Sequence, residues 1–238
     1  MMAKAPPRML PRMLVVAPHP DDETLGVGGI IAGFAAAGGE VTVLTVAAHM
    51  PPLYPESVHK RTIAEARRAH AILGVKNSVF LDIPAVFVHE QPHHELNGRI
   101  QEVVDDTTPG ILLMPYPDRH VDHRAIFESV MVCARPVGAG SGIEVLAAYE
   151  TLSETHWNAP HIEPNFTPNW VVDIGDHMDK KLEALACYES QIPAFPGPRC
   201  IEAARALAMF RGTQHGFAYG EALQIVRMTA PPQALFPS

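Results

Sequence analysis

Four residues able to bind a proton or a metal ion, His19, Asp21, Asp22 and Glu23, fall within five consecutive positions. They sit in the stretch APHPDDETLGVGG, residues 17–29. A second group, Asp118, His120, Asp122 and His123, lies in PDRHVDH much later in the chain. Each group follows an apolar run, MLVV at 13–16 and ILLM at 111–114. Charges crowded at the mouth of a buried strand are unfavourable unless something compensates them, and a divalent cation would do so. Zinc accepts histidine nitrogen and carboxylate oxygen, and catalytic sites use three protein ligands and leave a position for water. Two ligands from the first group and one from the second would give a His, Asp, His set. A spare carboxylate could then take a proton from water, and a spare histidine could stabilise or protonate what forms. Such a constellation hydrolyses an amide or an ester without a serine or cysteine nucleophile.

Plainer readings compete. Asp21 or Asp22 could cap a helix that begins near Thr24. The His-x-x-His of the second group could line a surface loop. The occurrence of both groups, each directly after an apolar run, favours the metal. A phosphoester hydrolase with a pair of metals, a hydrolase of another acylated amine, and a non-catalytic binding protein on the same fold stay open. Gly26, Gly28 and Gly29 suggest a dinucleotide fingerprint, but counted from Gly26 the last glycine of G-x-G-x-x-G falls on Ile31. The preceding acids would also repel a pyrophosphate. The glycines instead let a helix lie close to a sheet.

The elements that must carry these groups alternate. Strands are predicted at 13–17, 41–46, 79–83, 110–116, 145–150 and 170–174, with residues 219–228 closing the ordered part. Helices are predicted at 24–37, 61–73, 96–104, 125–134, 177–190 and 201–211. Strands alternating with helices give βαβ units, and hence an α/β, three-layer Rossmann-like fold with a mostly parallel sheet. In such sheets ligands bind beyond the carboxyl ends of the strands. Both polar groups follow strands, so both are expected at one rim. No repeat or linker divides the chain. The expectation is one domain over 13–230, with loose tails at 1–12 and 231–238.

Composition narrows the partners. Of 238 residues 47 % are hydrophobic, enough for a sizeable core and against disorder. The net charge of −8 argues against nucleic acid or an anionic membrane surface as the main partner. No apolar run reaches the length of a membrane span, and the proline-rich N-terminus does not resemble a signal peptide. Cys133, Cys187 and Cys200 form no C-x-x-C, so free thiols in a reducing, cytoplasmic setting are expected. His49, His89, His93 and His94 fall in rim loops, either simply exposed or lining a substrate pocket. Tyr149, Glu150, Ser153 and Trp157 fall in another, where an aromatic could stack on a sugar. Met178, Leu182 and Leu185 form the core stripe of their helix, and residues 188–191 its structural end.

The motifs APHPDDE and PYPDRHVDH together resemble the LmbE/PIG-L superfamily of zinc-dependent N-deacetylases. RTIAEARRAHAILGV at 61–75 resembles its helix pattern, and YETLSETHW, WVVDIGDHMDKKLEALACYESQ and RGTQHGFAYGEAL its C-terminal blocks. The resemblance covers most of the chain. It implies removal of acetyl from N-acetylglucosamine-type substrates, including sugar conjugates, with one zinc ion per chain. It implies His19, Asp22 and His123 as zinc ligands and Asp21 as general base. His120 would stabilise the tetrahedral intermediate or act as an acid. Asp118 and Asp122 would orient the histidines, and Arg61 and Glu65 would bind or frame the substrate. Val121 departs from the proline common in the family's HPDH, a change expected to affect only loop stiffness. A homo-oligomer fits the resemblance and the hydrophobic composition.

Overall fold

A computed structural model describes residues 11–229. Seven strands form one sheet: β1 (Arg12–Ala17), β2 (Glu40–Ala48), β3 (Asn77–Pro84), β4 (Ile111–Pro115), β5 (Val145–Tyr149), β6 (Trp170–Asp173) and β7 (Gly220–Met228). Their spatial order is β3-β2-β1-β4-β5-β7-β6. β1 to β5 pair in parallel, whereas β7 runs antiparallel to both β5 and β6. The helices are α1 (Asp22–Ala36), α2 (Glu56–Leu73), α3 (His93–Thr107), α4 (Val121–Cys133), α5 (Met178–Ala186) and α6 (Ile201–Thr213).

Alternation along β1 explains the three layers. Met13, Val15 and Ala17 join a core with residues of α1, α2, α5 and α6. Leu14 and Val16 face the opposite way, into a second core with residues of α3 and α4. A strand buried on both faces is continuously apolar, as the sequence of β1 is. The order of strands reverses beside β1, which sends one connection to β2 and receives β4 on its other edge. Such a switch point opens a crevice at the carboxyl ends of β1 and β4. The two polar groups follow these two strands.

Arg12 opens β1 and so belongs to the sheet, not to a loose tail. The rest of the expected tails lies outside the described residues, apart from Pro11. Helices α1 to α4 all start earlier than the sequence suggested, and two of these early starts bear on the polar groups. α1 begins at Asp22 and α4 at Val121, so Asp22, Glu23, Asp122 and His123 occupy first helical turns instead of loops. Polar residues there do not break the helix, because backbone N–H groups in the first turn favour acids. α5 ends at Ala186, short of the predicted 190, and residues 188–191 turn back toward the rim.

Candidate metal centre and active site

The β1–α1 junction is held by an unusual backbone. Asp21 has φ 119°, a conformation that residues with a side chain rarely adopt. It turns the chain so that Asp22 starts the helix while its own carboxylate points into the crevice. Neither acid caps the helix in the expected way: Asp21 makes no side-chain capping bond. Asp22 instead reaches back, its Oδ2 accepting the His19 N–H at 2.9 Å.

At the β4–α4 junction His120 is the cap, its Nδ1 accepting the Asp122 N–H at 3.2 Å. Asp118 Oδ1 accepts the His120 N–H at 3.0 Å. Asp118 Oδ2 lies 3.0 Å from His123 Nδ1 and also accepts the Thr155 hydroxyl at 2.8 Å. Asp122 Oδ2 lies 2.9 Å from His19 Nε2, and it accepts the Val86 N–H at 2.7 Å. Each of the two histidines therefore has one ring nitrogen against a carboxylate. Their other nitrogens converge on Asp22 Oδ2, with His19 Nδ1 at 3.1 Å and His123 Nε2 at 3.4 Å. Ring nitrogens of His19, His120 and His123 also gather within 4.8 Å of one another.

The charges report on what this arrangement wants. Burial opposes a charge on His19, but its bonds to Asp122 and Asp22 outweigh that and raise its pKa to about 9. Burial likewise opposes charge on His123, and Asp22 and Asp118 raise it to about 10. Asp22 is driven well below the ordinary carboxylate range, the charge on the adjacent His123 and the contact with His19 overcoming its burial. Asp21 moves the other way, raised by burial and by the neighbouring charge of Asp22. His120 is lowered to about 4, by burial and by the charges of His19 and His123. The centre thus strongly attracts positive charge between Asp22, His19 and His123. Two buried atoms there, His123 Nε2 and Asp21 Oδ2, have no hydrogen-bond partner. These residues fit a divalent cation, which would take the lone pairs and compete with the protons.

A cavity of about 390 Å³ opens over the centre, walled by His49, Tyr54, Arg61, Ser190, Gln191 and Arg199 among others. An opening of about 550 Å³ at the amino ends of β1 to β3 carries none of the candidate residues. Arg61 reaches the rim, but Glu65 does not. Glu65 is buried and accepts the N–H and hydroxyl of Ser190, at 3.1 and 2.5 Å, which places Ser190 in the wall. Of the rim histidines only His49 lines the cavity; His89, His93 and His94 are exposed elsewhere. The proposed aromatic platform is also absent. Tyr149 is in the core, donating to the Val16 carbonyl at 2.8 Å, and Trp157 is exposed away from the cavity.

Several contributors carry no motif. Arg199 Nη1 lies 3.6 Å from Asp21 Oδ2. Glu23 accepts from Thr24 and Tyr188 and also from the Asp21 N–H, tying the strained residue to α5's end. Only the crowding of acids in the first motif hinted that Glu23 needed buried donors. Among the described residues no helix is long and apolar enough to cross a membrane.

Comparison with known proteins gives the chain a family and a fold. The family model PIG-L, GlcNAc-PI de-N-acetylase, matches residues 14–134. The diacetylchitobiose deacetylase of Thermococcus kodakarensis is 30 % identical over 229 residues, covering 90 % of this chain and 83 % of that protein. The solved N,N'-diacetylchitobiose deacetylase from Pyrococcus horikoshii superposes with a TM-score of 0.72 at 23 % identity, covering 94 % of this chain and 88 % of that one. The 4-carboxy-2-hydroxymuconate hydratase of Pseudomonas putida KT2440 superposes equally well, TM-score 0.74 at 19 % identity, covering 93 % and 98 %. Since a hydratase shares the fold, the reaction must be argued from the site.

Proposed function

This chain belongs to the PIG-L family of de-N-acetylases, and from that premise we propose a zinc-dependent hydrolase that removes acetyl from an N-acetylglucosamine-type sugar or sugar conjugate. The observation that carries it is the convergence of His19 Nδ1 and His123 Nε2 on Asp22 Oδ2, with Asp21 Oδ2, which accepts no hydrogen bond, beside them. His19, Asp22 and His123 would hold one zinc ion. When bound, zinc supplies Lewis-acid polarisation of the acetyl carbonyl and of the attacking water.

The chain's own residues supply the remainder. Asp21 accepts a proton from the attacking water; burial and the neighbouring Asp22 raise its proton affinity, as a general base requires. His120 favours a donor role over that of a third histidine ligand. Its Nδ1 accepts the Asp122 N–H, so a neutral ring carries its proton on Nε2. That N–H can donate to the oxyanion, typically a large contribution in acyl transfer. Asp21 then returns its proton to the departing amine. Asp118 and Asp122 fix the ring orientations of His123 and His19. Arg61 binds substrate at the rim, while Glu65 frames it through Ser190.

We place these functions in a single domain that begins with Arg12 of β1 and runs through β7. The free cysteines fit work in the reducing cytoplasm. The test is metal analysis of the purified protein, followed by assay of acetate release from a panel of N-acetylated sugars and conjugates. Asp21→Ala is the control, expected to keep its zinc and lose turnover by ~10²–10⁴-fold. Full activity in that variant would remove Asp21 from the base role.

A further inference from the structure

α1 is not one continuous helix. Val27, with φ −139° and ψ 23°, leaves helical geometry. The break separates the turn carrying Asp22 and Glu23 from the longer body of the helix. In an unbroken helix the Leu25 carbonyl would accept from the Gly29 N–H, and that of Gly26 from the Ile30 N–H. Here the Leu25 carbonyl and the Gly29 and Ile30 N–H groups have side-chain partners. Gly29 and Ile30 donate to the two oxygens of Glu221, at 2.9 and 2.7 Å. The Leu25 carbonyl accepts from Lys181 Nζ at 2.8 Å, and the same ammonium donates to Glu221 Oε1 at 2.6 Å.

Lys181 belongs to α5 and Glu221 to β7, and both are only 3 % exposed. A buried ion pair is a weak source of stability, because desolvating two charges offsets most of their attraction. An apolar pair of similar volume would pack there at least as well. It could not, however, accept from two N–H groups and donate to a carbonyl. The pair thus acts as a cap for both halves of the broken helix, a carboxylate at the start of the second half and an ammonium at the end of the first. This matches the sign that each helix end prefers.

The broken turn has little freedom left once the pair is in place. A Cβ on Gly26 would lie 2.3 Å from the Tyr149 ring, so the turn already rests on β5. At its other end stands Asp21, in its strained conformation, followed by Asp22. We propose that Lys181 and Glu221 are positioning residues of the active site. They hold the break in α1 and thereby set Asp21 and Asp22 against His123, which is carried by α4 on the other side of the crevice. This rests on the deacetylase reading for its activity readout only; the metal and structural readouts stand apart from it.

The test compares Lys181→Met/Glu221→Gln with wild type and with Leu182→Ala, a core truncation on α5 that leaves the pair intact. The double substitution removes both charges together, so no charge is left buried alone. Co²⁺ titration by visible absorption reads the metal site, acetate release reads turnover, and a crystal structure reads the Asp22–His123 separation. The expected result is a folded double variant with Co²⁺ affinity lower by ~10–100-fold, the range seen when groups supporting metal ligands are removed. Its kcat at saturating metal falls by up to ~10²-fold, as for a misplacement of about 1 Å, and KM changes much less. The crystal structure shows Asp22 displaced from His123. Leu182→Ala, although destabilised, keeps its metal affinity and kcat.

Wild-type metal affinity, kcat and Asp22 placement in the folded double variant would overturn the proposal. So would equal losses in Leu182→Ala. If the double variant does not fold, Glu221→Gln is measured in the same way, since it retains one oxygen for the Gly29 or Ile30 N–H. Metal binding and geometry like wild type in that enzyme would also overturn the proposal. A wild-type protein inert on every N-acetylated sugar would count against the deacetylase reading, while a displaced Asp22 in the variants would still uphold the positioning role.

Discussion

The two strand-to-helix junctions that build the centre are similar in outline and opposite in construction. Both place one histidine and one acid between a buried parallel strand and a helix, and two more ionisable residues in that helix's first turn. At β1–α1 the work is done by strained backbone: Asp21 at positive φ, no side-chain cap, and a helix that breaks at Val27. This junction is buried and braced from behind by Tyr188, Lys181 and Glu221. At β4–α4 the backbone is ordinary and the side chains do the work. His120 caps α4, while Asp118 joins His123, Thr155 and the His120 N–H. The first junction therefore supplies groups whose position is set by the fold. The second supplies groups whose orientation is set by hydrogen bonds, so single substitutions should grade its function instead of abolishing it.

The largest effect should come from the first junction. Asp22→Ala removes the acceptor on which His19 and His123 converge, and with it the largest of the charges that raise the pKa of His123. Metal content by elemental analysis should fall to background, and acetate release with it. His120→Ala, at the second junction, should keep its metal and lose ~10²–10³-fold in kcat, the range for one oxyanion donor. If His120→Ala also lost its metal, His120 would be a ligand and the contrast between the junctions would fail. Next comes Asp118→Asn, which weakens the bond orienting His123. Competition with a chelator should show metal affinity lower by ~10–100-fold, with kcat at saturating metal nearly kept.

Much of this was legible in the sequence because it is local. Continuous apolar runs announced strands buried on both faces, and polar residues straight after them announced a rim. The five parallel strands and the crevice followed from that pattern. What escaped is what tertiary packing decides. Lys181 looks like any charge on an amphipathic helix, and Glu221 like any strand polar residue; only the broken α1 reveals their task. Tyr149 was misplaced at the rim for a related reason. It shares a sheet face with Ala147, and that face lies under α1, where Gly26 leaves room for the ring. Thr155 and Arg199 come from loops whose course no periodicity describes. The antiparallel β7 was not readable either, since strand direction depends on a connection through α6.

The loop that serves the second junction begins at Glu150, which offers a pH test of how firmly that loop is anchored. Glu150 is buried and accepts from Arg211 Nε and Nη2 at 2.8 and 2.6 Å, with His156 Nε2 at 3.2 Å. Burial opposes its charge, but the bonds from His156 and Arg211 prevail and hold its pKa below the ordinary 4.5. A carboxyl with a lowered folded-state pKa stabilises the protein above its unfolded pKa. That stabilisation disappears as pH falls through the lower, folded value. Glu150→Gln should therefore lower stability at pH 7 by about 2 kcal/mol, as for loss of a hydrogen bond to a charged group. In urea titrations the gap between wild type and variant should narrow below about pH 4.5. A gap unchanged from pH 7 to pH 3 would mean that the charge of Glu150 does not anchor the loop.

The smallest expected effect is the most discriminating for the second junction. Thr155 touches the centre only through its hydroxyl, which donates to Asp118 Oδ2, and its own Oγ1 accepts the Thr151 N–H at 2.9 Å. Thr155→Val keeps the shape and removes both bonds, a loss of about 1 kcal/mol for each. Asp118 retains His123 and the His120 N–H, so the ring of His123 should stay oriented. Metal affinity should drop only severalfold and kcat should be nearly unchanged, measured beside Asp118→Asn under the same chelator competition. A loss in Thr155→Val as large as that in Asp118→Asn would mean that the carboxylate is held mainly by the loop. The second junction would then depend on fold-imposed position just as the first does, and the difference between them would be one of residue types alone.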